Sequence, residues 1–103
     1  MEFRKELYLG DEAGKHYREY RNAIKKGKPY PELYVITYAV GSHDQLDIVN
    51  GLLLTSRSVR ERLPQVVGIA KGKEEAYRLV QRIAEETYRA SGDCDMKAYL
   101  SRL

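Results

Sequence analysis

QVVGIAKGKEEAYRLVQRIAEETYRASG, residues 65–92, is the stretch whose reading decides the fold. Val66, Val67, Ile69 and Ala70 form a short apolar, β-branched run between turn residues, the pattern of an interior strand. From Ala76 onward the apolar residues recur as Ala76, Leu79, Val80, Ile83, Thr87 and Ala90, which is helical spacing. Glu74 and Glu75 fall in the first turn, where negative charge favours the helix dipole, and Gly92 stands where a left-handed residue ends a helix. The spacing predicts a strand, a glycine turn and a long amphipathic helix. None of these carries a recognisable chemistry.

Upstream, Phe3, Lys5, Leu7 and Leu9 alternate with Arg4, Glu6 and Tyr8, as in a strand with one buried face. Gly10 closes it, and Asp11 is placed to cap a helix over 12–26 with the stripe Ala13, Tyr17, Tyr20 and Ile24, joined by His16 and Ala23. Gly27, Pro29 and Pro31 stop that helix. LYVITYAV, residues 33–40, is apolar or aromatic on both faces and reads as a central strand. Leu46 to Val49 begins another strand. Asn50-Gly51 then marks either a hairpin into 52–55 or a bulge in one longer strand. Residues 55–63 read as a loop or one helical turn before Pro64, and 95–100 as a last helical turn or an edge strand. The order β-α-β-β-(β)-β-α predicts one α+β domain over residues 1–103. Its expected form is a two-layer sandwich, a sheet of about four strands with two helices on one face. If its strands are parallel, the opening β-α-β unit should be right-handed.

With 43% hydrophobic residues, the 103-residue chain has enough apolar surface for a single core. No run approaches the roughly 20 apolar residues that cross a bilayer, and the start MEFRKELYLG lacks a signal-peptide core. With a lone cysteine, Cys94, this leads to the expectation of a cytoplasmic protein without a membrane partner. The net charge of +3 is small. Its one local excess is Lys15, Arg18, Arg21, Lys25, Lys26 and Lys28 against Glu19, a basic helix face on a nearly neutral chain.

GIAKGKEEAYRLVQRIAEETYRASGDCDMKAYL resembles the C-terminal half of a group of short, uncharacterised bacterial proteins of about 100 residues. These share a VVGIA-type strand, a glycine turn, a Glu-Glu-Ala helix start and a closing Gly-Asp-x-Asp segment ending in Tyr-Leu. Leu46-Asp47-Ile48 fits the same pattern. The resemblance covers about half the chain and implies a bacterial origin, a related fold and no site.

Several residue groups invite a chemical reading. Gly68 to Lys73 follows a strand and opens a helix, the context of a phosphate loop. It has three residues between its glycines where a Walker loop has four, and Glu74 stands where Ser or Thr would bind magnesium. Ser42-His43-Asp44 holds the residue types of a nucleophilic triad, but consecutive side chains do not converge as a triad requires. His16, His43, Asp93, Cys94 and Asp95 lack any metal-ligand spacing. No catalytic, cofactor-binding or metal residue is therefore assigned, and no cofactor is expected. A small-molecule enzyme gathering His43, Asp44 and Cys94 is the least favoured class.

Nucleic-acid binding would draw phosphate contacts from Lys15, Arg18, Arg21, Lys25, Arg57 and Arg60, with Arg62 nearby. Tyr34, Ile36 and Tyr38 resemble one of the two sheet motifs of RNA-recognition domains, whose longer partner motif is missing. The favoured reading is a non-catalytic protein-interaction or dimerisation module. Nine tyrosines against one phenylalanine suit half-wet surfaces, and Tyr8, Tyr34 and Tyr38 would line an open sheet face in a homodimer. The expected partner is a second copy or another protein.

Overall fold

The computed structural model describes residues 1–40 and 45–102. These form β1 (Phe3–Leu9), α1 (Asp11–Lys15), α2 (Tyr17–Lys26), β2 (Leu33–Tyr38) and β3 (Leu46–Asn50). A 3-10 helix (Gly51–Thr55), α3 (Arg57–Arg62), β4 (Val66–Lys71), α4 (Lys73–Ser91) and α5 (Met96–Arg102) follow. The sheet order is β1-β4-β2-β3, with β1 parallel to β4 and β2 antiparallel to both of its neighbours. The mixed α/β class and the sheet of four strands agree with the sequence reading. Both apolar runs, LYVITY and VVGIA, occupy the two central positions. The handedness rule does not come into play, because β4 lies between β1 and β2 and runs antiparallel to β2.

Alternate residues of a strand project to opposite faces, and the core divides between the two, a register shift in β4 between Val66 and Gly68 placing Val66 and Ile69 on the same side. Leu33, Val35, Val66 and Ile69 pack with Ala13 of α1 and with Tyr20, Ala23 and Ile24 of α2. Ile36, Val67 and Ala70 pack instead with Ala76, Leu79 and Ile83 of α4 and with Leu100 of α5. The α2 and α4 helices thus cover opposite faces, where the sequence reading placed both on one. Strands apolar on both sides require cover on both sides.

Local chemistry accounts for most boundaries. Gly27 and Gly92 end α2 and α4 at φ of 69° and 75°, left-handed values that glycine adopts freely. The expected helix over 12–26 breaks at His16, which leaves the helical region (φ −121°, ψ 28°) and separates α1 from α2. Asn50-Gly51 forms neither a hairpin nor a bulge. Asn50 ends β3, accepts the Leu52 amide at 2.9 Å and donates to the Pro31 carbonyl at 2.9 Å, so it starts a helix rather than a strand. A Cβ on Gly51 would strike the Tyr30 carbonyl oxygen, and only glycine fits there. Residues 57–62 and 96–102 are helical, as one of the two readings of each segment had it.

Candidate functional site

β1 and β4 are adjacent and parallel, and the helices that follow them leave toward opposite faces. In open α/β sheets such a divergence opens a crevice beyond the carboxyl ends of the strands. A crevice of about 290 Å³ is present there, bounded by Gly10, Asp11, Glu12, Glu75, Arg78 and Arg82. Glu75, only 8% exposed, fills its inner wall. One carboxylate oxygen accepts the Glu12 amide at the start of α1 at 2.6 Å, and the other accepts the Lys71 amide at the end of β4. The cap expected from Asp11 is therefore supplied by Glu75, and Asp11 is itself the first residue of α1. The stretch Gly68 to Lys73, compared above with a phosphate loop, has the Lys71 amide engaged by this carboxylate.

A second polar cluster lies lower on the same side of α4. The Tyr8 hydroxyl donates to Glu86, and Tyr99 of α5 donates to the same carboxylate at 3.3 Å. The guanidinium groups of Arg4 and Arg82 stand 5.8 and 5.7 Å from the centre of the Tyr8 ring. Burial, reinforced by the hydrogen bond to Glu86, pushes the Tyr8 phenol up to about 12. Both hydroxyls stay protonated, and the cluster fastens β1, α4 and α5 together. Tyr8 was expected on an open sheet face; it lies against α4 instead.

The basic residues of α2 and α3 adjoin, since Arg60 packs at Gly27, but several cations are engaged within the chain. Arg21 lies 4.6 Å from the Phe3 ring centre and bonds the Tyr17 hydroxyl, while Lys25 stands 5.8 Å from the same Phe3 ring. Arg60 donates to the Leu54 carbonyl at 2.6 Å. Lys15 pairs with Glu12 at 3.2 Å and Arg57 with Glu61 at 2.9 Å. Arg62 donates to the Ser58 hydroxyl at 2.6 Å. Arg18 extends from α2 into solvent.

Exposed large apolar residues lie at Val40, on the 3-10 helix at Leu52 and Leu53, and on α4 at Tyr77 and Tyr88. Arg82 and Glu86 hold one edge of α4 toward β1, so the opposite edge, with Tyr77, Val80 and Ala84, faces the β2 side. α5 shares this face, its Lys97 amide donating to Gln45 beside β3 at 3.1 Å, and Tyr34, Tyr38, Leu46 and Ile48 stay half-buried there. Tyr34 and Tyr38, expected on an uncovered face, thus line a partly covered one. Tyr77 and Tyr88 are 54% and 61% exposed, large apolar rings in solvent on one side of one helix. Their 11-residue separation is three helical turns, a signal the sequence contained beside the core stripe.

The triad candidate 42–44 lies outside the described residues. Of the metal candidates, His16 stands at the α1–α2 junction near Glu19, and Cys94 is exposed between α4 and α5. Among the described residues no three His, Cys, Asp or Glu side chains converge, and no helix is long and apolar enough to cross a membrane. Compared with protein-family models, curated proteins and solved structures, the chain matches none.

Proposed function

We propose that this chain is a small non-catalytic module of the bacterial cytoplasm that acts by binding a protein through the outer side of α4. The observation that carries the reading is the pair of exposed rings, Tyr77 and Tyr88, beside the half-covered strands with Tyr34, Tyr38 and Ile48. Exposed aromatic rings of this kind mark interfaces, where the ring supplies apolar area and the hydroxyl finds a polar partner. The polar groups elsewhere support a binding role rather than a reaction. Glu75 and Glu86 are committed to capping and docking, and the Tyr8 and Tyr99 hydroxyls to Glu86.

The test is a photo-crosslinking amino acid placed at position 88, and separately at position 18 on α2, in bacterial cells expressing the chain. Discrete protein adducts from position 88 and none from position 18 are expected. Adducts to nucleic acid from position 18, with nothing from position 88, would transfer the function to the basic face.

A further inference from the structure

The outer side of α4 carries a second heptad besides the one that packs on the sheet. Tyr77, Gln81, Ala84 and Tyr88 are spaced four, three and four residues apart, and Glu74 and Ser91 extend the same series. This spacing reads the same in both directions about a point between Arg82 and Ile83. A symmetric dimer of antiparallel helices needs that property, since each residue must meet its counterpart under a two-fold axis.

Resting on the binding surface proposed above, we infer that its occupant is a second copy of this chain, joined by antiparallel packing of α4 on α4. Tyr77 then meets the partner's Tyr88, and Gln81 meets the partner's Ala84. The small Ala84 lets the backbones approach at the centre. Gln81, Ala84, Glu85 and Tyr88 form the four-residue diamond that receives a knob from a facing helix. They line a shallow depression of about 360 Å³ that continues past Arg89 to Cys94. Gln81 of one chain enters that depression on the other, and Tyr77 closes its far end against the partner's Arg89.

Charge selects the same arrangement. Arg78 and Glu85 flank the stripe on one side, both exposed and neither in an ion pair among the described residues. Antiparallel pairing sets Arg78 opposite the partner's Glu85, twice by symmetry, and Glu74 opposite the partner's Ser91. A parallel pairing would bring Glu74 against the partner's Glu74 and, with facing e and g positions, set Arg78 against the partner's exposed Lys73 and Glu85 against the partner's Val80.

Sedimentation velocity on the purified chain, over a concentration series, tests the inference with Arg78→Glu, Glu85→Arg and the double swap. The two positions are two turns apart on one helix, too far to pair within a chain, so rescue reads contact between chains. The parent should dimerise. Each single swap should weaken the dimer about tenfold, and the double swap should restore it to within about threefold. Circular dichroism should show the same folded spectrum for all three, since both side chains are in solvent. A parent that stays monomeric, or a dimer indifferent to the swaps, overturns the inference. If the parent is monomeric while position 88 still crosslinks a different protein in cells, only the identity of the occupant fails. If position 88 crosslinks nothing, the binding surface fails with it.

Discussion

Glu75 and Glu12 are 63 residues apart in sequence, yet the carboxylate of one caps the helix in whose first turn the other lies. The arrangement depends on Gly10, because a Cβ there would lie 2.6 Å from Glu75 Oε2 and collide with the rest of the carboxylate. Glu75→Ala leaves two amides without their acceptor and should cost about 2 kcal/mol. Gly10→Ala should cost a similar amount by expelling the same carboxylate, about 2 kcal/mol. The two costs should not add, since alanine at position 75 clears the space that alanine at position 10 needs. Urea denaturation of the single and double variants measures this. Additive losses would show that Gly10 acts through something other than Glu75. Glu75 also shows how a helix stripe misleads: the helical period marks Ala76, Leu79 and Ile83 as inward, but a buried charge needs a partner that periodicity cannot display.

Between elements, the Tyr8–Glu86–Tyr99 cluster ties α4 to β1 and α5. It holds one edge of α4 to β1, while α5 shares with α4 the cover of the β2 and β3 side. Because the Tyr8 phenol is held near 12 in the fold and ionises near 10 when free, unfolded chains lose the proton first. Its contribution to stability is therefore complete below pH 10 and declines as the pH rises from 10 to 12. Tyr8→Phe should be less stable than the parent at neutral pH and should lose stability less steeply across that alkaline window. Denaturation midpoints measured on both proteins through the window check this. Parallel curves would mean that Tyr8 titrates as it does in the unfolded chain. β1 could be read from its alternation, but not the hydrogen bond from Tyr8 to a glutamate on the last long helix.

At the scale of the molecule, two clusters share the central strands β2 and β4. Neither face has a sheet of its own, so the domain should unfold as one unit. Ile83 is fully buried in the α4 cluster, and Ile83→Asp should cost more than about 4 kcal/mol. That is a large share of the roughly 5–15 kcal/mol that stabilises a domain, and the variant should be unfolded or close to it. NMR spectra should lose dispersion for Tyr20 and Ile24 on the opposite face along with the α4 residues. Retained signals from the α2 side would show two independent halves.

The sequence by itself determined the class, the two central strands, the long helix and its glycine end, because period, β-branching and left-handed caps act over a few neighbouring residues. The exposed tyrosine stripe on α4 was written there as well, in the same spacing that marks its core side. Only the tertiary structure decided which face each helix covers, that Glu75 supplies the cap of α1, and that Asn50-Gly51 opens a helix instead of a hairpin. Each of these depends on groups brought together from distant positions: the space at Gly51 set by the Tyr30 carbonyl, the space at Gly10 taken by Glu75, and the pull of Glu86 on Tyr8. Such contacts have no period, and a chain read residue by residue holds no record of them.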